Sequence, residues 1–163
     1  MGSGRYDVAQ ICLNGHVINK YARTMPRFNK EFCDTCGART IIACQKCNAS
    51  IQGRYDSGLV IIGPSEPFPA PAFCHDCGAP YPWTEKGLEA ARELVSELEG
   101  LTEDEKAVLA KDLDDIIAET PRTTVAATKW KEVLVKVGSE AALAFREIFI
   151  EIASETARKV LGL

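Results

Sequence analysis

The sequence predicts an α+β chain in two parts: short β-hairpins around cysteine-rich turns over residues 1–83, then about four helices over residues 84–163. Three observations carry that prediction. All seven cysteines and both histidines lie before Trp83. So do seven of the eight prolines, whereas the chain after Thr84 is rich in Ala, Leu, Glu and Lys and keeps only Pro121. In the second part apolar residues recur at the three-to-four spacing of amphipathic helices, and in the first they do not.

In the first part, strand-like runs occupy Asp7–Leu13, Thr40–Cys44 and Leu59–Ile62, each beside a cysteine pair or a glycine-containing turn. Pro64–Pro71 has too few backbone donors for a central strand and reads as an extended connector. None of these runs is long or periodic enough to bury a core of its own, so the region needs staples.

In the second part, Thr84–Leu98 places Leu88, Ala91, Leu94, Val95 and Leu98 on one face. Thr102 is set to cap the next helix, with Glu105 at the capping-box position. That helix turns Leu109, Leu113, Ile116 and Ile117 inward and Asp112, Asp114 and Asp115 outward. Pro121 stops and restarts the pattern. A third segment then presents Ala126, Trp130, Val133, Leu134 and Val137 and closes at Gly138. The last segment, Ser139–Leu161, carries one narrow polar stripe of Glu147, Glu151, Ser154 and Arg158 and is otherwise apolar, which predicts a helix buried nearly all round. Three short partners would just enclose it, and Phe145, Phe149 and Ile152 are candidates for an apolar face left over for self-association.

The staples are written in four pairs: Cys12-Leu-Asn-Gly-His16, Cys33-Asp-Thr-Cys36, Cys44-Gln-Lys-Cys47 and Cys74-His-Asp-Cys77. A C-x2-C turn points two thiolates at one metal, and Gly37 and Gly78 follow two of the pairs where the turn needs φ > 0. Seven cysteines leave one over in a disulfide scheme, but with His16 they make two complete quartets. Cysteine-rich quartets of this kind suit Zn²⁺, two ions per chain, and four protein ligands leave no open position for water. An iron–sulfur cluster is the main rival. The gap between Cys36 and Cys44, with the strand-like Thr40-Ile41-Ile42 inside it, favours sequential pairing into tandem zinc ribbons. Cross-braced pairing, as in RING-type domains, is the alternative. His75 lies inside a knuckle already supplied with two thiols and reads as an exposed tip residue.

Composition narrows the function. The chain of 163 residues is 46% hydrophobic and 26% charged, and no stretch approaches the ~20 apolar residues of a membrane span. No secretory leader is recognisable, and thiols kept for metal suit a reducing compartment, so the expected location is the cytoplasm. With His16 and every cysteine bound to metal, no nucleophile–base pair, phosphate loop or HExxH helix remains. The expectation is a non-enzymatic adaptor without a small-molecule substrate, its helical half serving self-association or docking to a protein partner. The net charge of −4 argues against a strong general attraction to nucleic acid. One local cluster runs the other way: Lys20, Arg23, Arg27 and Lys30, with Tyr21 and Phe28 between them, could contact phosphates and stack on bases. A nucleic-acid-binding regulator is therefore the alternative reading, and a RING-like ligase component, which requires cross-braced ligands, is the third.

The blocks Tyr6–Asn19, Phe32–Ala38, Cys44–Cys47 with Ile51–Tyr55, Cys74–Gly78 with Tyr81–Thr84, and Thr120–Thr128 together resemble an uncharacterised bacterial family of double zinc-ribbon proteins. The resemblance spans most of the chain. It implies metal ligands at the eight positions above and no established activity.

Overall fold

The computed structural model describes residues 4–56 and 67–163. The strand-like run Leu59–Ile62 and the start of the Pro64–Pro71 connector lie outside the described residues. The chain divides between Thr84 and Glu85 into two compact units.

The first unit holds two small antiparallel sheets. Strands β1 (Arg5–Val8) and β5 (Gln52–Asp56) pair in one; β2 (Gln10–Cys12) lies between β3 (Val17–Asn19) and β4 (Thr40–Ile41) in the other. The run expected as one strand from Asp7 to Leu13 is thus two. It breaks at Ala9, which bonds instead to the Ile51 carbonyl (2.8 Å), and the chain passes from one sheet to the other. Gly53 makes that crossing feasible: a Cβ there would lie 2.6 Å from the Lys20 carbonyl oxygen and 2.7 Å from the Val8 carbonyl carbon. A small core does form, from Ala9, Ile11, Ile51 and Tyr81 with Cys44 and Cys74, so the metal-ligand pairs are continuous with it.

The second unit is helical. Helix α1 (Pro82–Glu97) starts in the first unit and supplies the first helix of the second, followed by α2 (Glu103–Ile117), α3 (Thr123–Lys136), α4 (Ser139–Ile152) and α5 (Glu155–Leu161). Thr102 caps α2 through the full capping box with Glu105. The central helix is α3, which packs against α2, α4 and α5. Its Trp130 is completely buried against Phe145 (centroids 4.9 Å apart) and Phe149 (5.1 Å).

Three expectations are corrected here. The last segment is two helices, not one: the chain turns extended at Ala153, and Ser154, expected in the polar stripe, caps α5 by accepting from the Ala157 amide. The unit therefore has five helices rather than four. Asp112, expected outside, is buried and ion-paired to Lys129 at 2.9 Å. Phe145, Phe149 and Ile152, expected as a self-association face, are core residues, at 0%, 0% and 8% exposure. The side chains that α4 leaves exposed include Leu143 and Ile150. No helix among the described residues is long and apolar enough to cross a membrane.

Candidate metal centres and a pinned loop

Three of the four ligand pairs are copies of one local structure. In Cys33–Ala38, Cys44–Ala49 and Cys74–Ala79 the leading cysteine's amide bonds to the alanine carbonyl (2.9, 2.8 and 2.8 Å). Its own carbonyl accepts from the residue after the second cysteine (2.8, 2.9 and 2.9 Å). That residue takes the left-handed conformation: Gly37 at φ 69°, Gly78 at 70°, and in the middle copy Asn48 at 63°. Asparagine is the residue that tolerates this region best after glycine, which is why the middle turn closes without one. The Cys12–His16 turn is wider and closes through Gly15, whose φ is 89°.

These turns gather the eight predicted ligands into two clusters. Cys12, His16, Cys33 and Cys36 form one, and Cys44, Cys47, Cys74 and Cys77 the other, with the ligand atoms of each within 4.8 Å of one another. The pairing is sequential. The cross-braced arrangement, and the RING-like reading that needs it, do not hold.

The distances test what the clusters could contain. Sulfur–sulfur separations are 3.8 Å for Cys12–Cys36, 3.8 Å for Cys44–Cys77 and 3.6 Å for Cys47–Cys74. His16 Nδ1 lies 3.5 Å from the Cys12 sulfur and 3.6 Å from that of Cys33. A disulfide would need about 2.05 Å, so these are free thiols. Around one tetrahedral ion with metal–sulfur bonds of about 2.3 Å, the edge between two sulfurs is about 3.8 Å; with a nitrogen at about 2.05 Å the mixed edge is about 3.6 Å. Both clusters match those edges. Each could hold one metal ion, with His16 bound through Nδ1.

Electrostatics point the same way. Burial opposes ionisation of Cys33, yet the backbone N–H groups of Cys36 and Thr35 outweigh it and bring the thiol down to about 6. Cys74 is brought to about 6 by the N–H groups of Cys77 and Asp76. Cys47 receives an N–H from Ala49, but burial and three neighbouring thiols push it up to about 12. Four sulfurs in so small a space cannot all ionise against one another, and a bound dication removes that conflict. Further N–H···S contacts come from Asn14 and His16 to Cys12 (3.4 and 3.3 Å) and from Lys46 to Cys44 (3.4 Å). Tyr81, buried and stacked on Trp83 at 4.7 Å, bonds to the Cys74 sulfur; burial first, then that thiolate, raises its phenol. His75 is exposed and belongs to neither cluster.

The basic segment lies between β3 and the Cys33 turn, and its backbone is tied down by buried polar side chains that sequence reasoning missed. Asp7 accepts four hydrogen bonds: Val8 N–H (2.6 Å) and Arg23 N–H (2.9 Å) on one oxygen, Thr24 N–H and its hydroxyl on the other. Asn19 accepts from the Tyr21 amide and donates to the Met25 carbonyl, both at 2.9 Å, and to Asn29 at 2.7 Å. Asn29 donates to the Ala22 carbonyl. Gln10 holds Lys30 by both backbone groups, donating to its carbonyl and accepting from its amide at 2.9 Å each. Asp7, Gln10 and Asn19 are buried. The available signal was their position, polar residues inside apolar strand runs, which a buried site must satisfy.

The four basic residues do not form one patch. Lys20 and Lys30 line a groove of about 670 Å³ with Tyr21, Met25, Phe28 and Phe68. Arg27 is exposed beside it, its guanidinium 4.8 Å from the Phe28 ring centroid. Arg23 lines a separate hollow with Ile42 and Val8. Lys30 is also ion-paired with Asp34.

Against known proteins, the matching family model is described as "Uncharacterized protein conserved in bacteria (DUF2321)", and it covers residues 5–161. No curated protein and no solved structure matches the chain.

Proposed function

We propose that this chain, which belongs to that bacterial family over nearly its whole length, is a non-enzymatic interaction protein in which two structural Zn²⁺ ions hold a β scaffold that presents the pinned loop to a partner. The observation that carries the proposal is the closure of both clusters. Each supplies four donors spaced as the corners of a tetrahedron, so an ion bound there keeps no open position for water or substrate. Zinc fits better than a multi-iron cluster, because donor atoms within 4.8 Å of one another surround the volume of a single ion. Thiols reserved for zinc suit the reducing cytoplasm, which is the location proposed. The helical unit is assigned self-association or docking, through the exposed Leu143 and Ile150 rather than the buried phenylalanines.

Metal analysis and zinc X-ray absorption on the full chain test this. The expected result is two Zn²⁺ per chain, with an average shell of three and a half sulfurs and half a nitrogen. That shell follows from one cluster of three cysteines with a histidine and one cluster of four cysteines. An oxygen ligand that exchanges with solvent would identify an open, catalytic site and overturn the reading.

A further inference from the structure

We infer that the groove beside the pinned loop binds single-stranded nucleic acid, its bases stacking on Phe28 and its neighbours and its phosphates meeting Lys20, Arg27 and Lys30. The inference rests on the scaffold reading above and names the partner of that loop.

Three observations lead to it. The first is local charge. Val17–Lys30 contains four cations and no acid, although the chain as a whole carries −4. Asp7, beneath it, is buried and engaged in four hydrogen bonds, so it presents no acceptor at the surface, and the exposed carboxylate of Asp34, paired with Lys30, is one that a phosphate would displace. The second is the groove wall. Tyr21, Met25, Phe28 and Phe68 give it polarizable apolar faces, while Lys20 and Lys30 stand on the same lining. Phe28 is 50% exposed and Met25 45%, an unfavourable arrangement for an apolar wall that nothing ever covers. The third is rigidity. The loop backbone is fixed at Ala22, Arg23, Thr24, Met25 and Lys30, so stacking there immobilises few new degrees of freedom.

This combination selects among anionic partners. An acidic peptide would use the cations but has no flat π-surface to set against the aromatic wall. Duplex nucleic acid buries its base faces in its own stack and is read by elements that enter a groove, usually a helix or ribbon. The only helical element in the loop is the single turn Pro26–Phe28. Single strands alone offer both free base faces and a line of phosphates, the pairing on which aromatic and basic surfaces act. Arg27 and Phe28 are already arranged as a cation–π pair, which lets one base stack while its phosphate meets the guanidinium.

The test is fluorescence anisotropy with the zinc-loaded full chain and labelled single-stranded oligomers of about eight nucleotides, within the usual site size. Zinc content is measured on the same samples. Three phosphate contacts predict a log K against log salt slope of roughly −2, at about −0.7 per contact, and Lys20→Ala or Arg27→Ala should each shallow it by about 0.7. Phe28→Ala should weaken binding about five-fold or more with zinc content and melting temperature unchanged, since stacking on one aromatic ring is worth at least that. Arg23→Ala, in the separate hollow, should cost less than about two-fold, the effect of losing one remote charge.

Absence of binding at low salt by a chain carrying both zinc ions would overturn this inference and leave the scaffold reading intact. Loss of zinc stoichiometry in the wild type would instead overturn the scaffold reading. Equal effects of Arg23→Ala and Lys20→Ala, or no effect of Phe28→Ala, would remove the groove as the site. Displacement of the oligomer by anionic vesicles or polyglutamate at matched charge would assign the surface to a membrane or an acidic peptide and refute the nucleic-acid class.

Discussion

Asp7 is the residue whose replacement most directly tests whether the basic loop is held in place or merely lies where it does. Changing it to Asn keeps the shape and alters two things. One oxygen can still accept from the Val8 and Arg23 amides. The other becomes an NH₂ group that faces the Thr24 amide, a donor against a donor. The Thr24 hydroxyl can rotate to accept, but the Thr24 N–H cannot, so one buried donor loses its partner. That costs about 1–3 kcal/mol, and the remaining bonds lose the charge assistance that made them stronger. A total of about 2–4 kcal/mol for Asp7→Asn follows, with Asp7→Ala costing more because three backbone donors are then unpaired.

The assay is urea unfolding of the zinc-loaded chain at neutral pH and fixed free zinc, with hydrogen exchange at the Arg23 and Thr24 amides. A loss below about 0.5 kcal/mol, the range of an ordinary surface change, with Thr24 still protected, would refute the pinning argument. Neutral pH matters for the comparison. Burial opposes ionisation of Asp7, but the bonds from Thr24, Val8 and Arg23 outweigh it and hold its pKa below the usual value. Its contribution is therefore present above the unfolded carboxyl pKa and disappears only as pH falls through the lower folded one. Zinc thiolates protonate and release their ion well before that point, so an acid titration would report the metal first.

The remaining predictions concern the metal clusters and the helical unit. Cys36→Ser should lose the ion of the first cluster and keep the second, and Cys77→Ser the reverse; metal counts that fall at both sites from one substitution would contradict sequential pairing. Each loss should unfold the affected turns, because a structural zinc contributes on the order of 10 kcal/mol to folding. Phe149→Ala should destabilise the helical unit by about 3–5 kcal/mol by opening a cavity against Trp130, whereas Leu143→Ser should leave the melting temperature nearly unchanged. If light scattering shows an oligomer that Leu143→Ser and Ile150→Ser leave intact, that face is not the contact. Glu119 accepts from the Thr156 amide, and that bond chiefly lowers its pKa. Its stabilisation of the α5 start is present above the ordinary carboxyl pKa and is lost as pH falls through the lower folded one, so the Thr156 amide shift should titrate below the range of a free glutamate.

What the sequence made legible was what is local. The ligand quartets lie in turns that close within six residues, and their spacing is the structure. The Thr102–Glu105 box spans one helical turn and needs nothing distant to form. Helix faces followed from periodicity wherever one side was plainly polar, as in α1 and most of α2. The misses share a different cause. Ser139–Leu161 is apolar on so much of its circumference that periodicity could not say which side is inside, nor that Ser154 would prefer a cap to a continued stripe. Asp112 reads as solvent-facing among three acids, and only the approach of Lys129 from α3 makes its burial tolerable. Strand Asp7–Leu13 divides because Ala9 finds Ile51, forty-two residues away, and no local pattern encodes that pairing.

The loop is the case where that distinction bears on function. A connection between β3 and the Cys33 turn needs only a few residues, since most such links are about 4–6 long. This one runs from Lys20 to Phe32 and is fastened by Asp7, Gln10, Asn19 and Asn29, three of them buried. Burying amides and a carboxylate is unfavourable unless each is fully bonded, and a shorter loop would avoid the requirement altogether. The metal turns do not demand it either, because Cys44–Ala49 forms the same structure directly after β4, with no such loop before it. The polar pins therefore stabilise one conformation of the segment rather than the fold around it. What that conformation does is hold Met25 and Phe28 open to solvent, with Tyr21 half-buried, beside lysines, at positions where flexible side chains on a free loop would collapse onto the surface. Buried polar groups committed this way support the proposed contact at the loop, with the two ligand clusters as the sites where bound metal would hold its base.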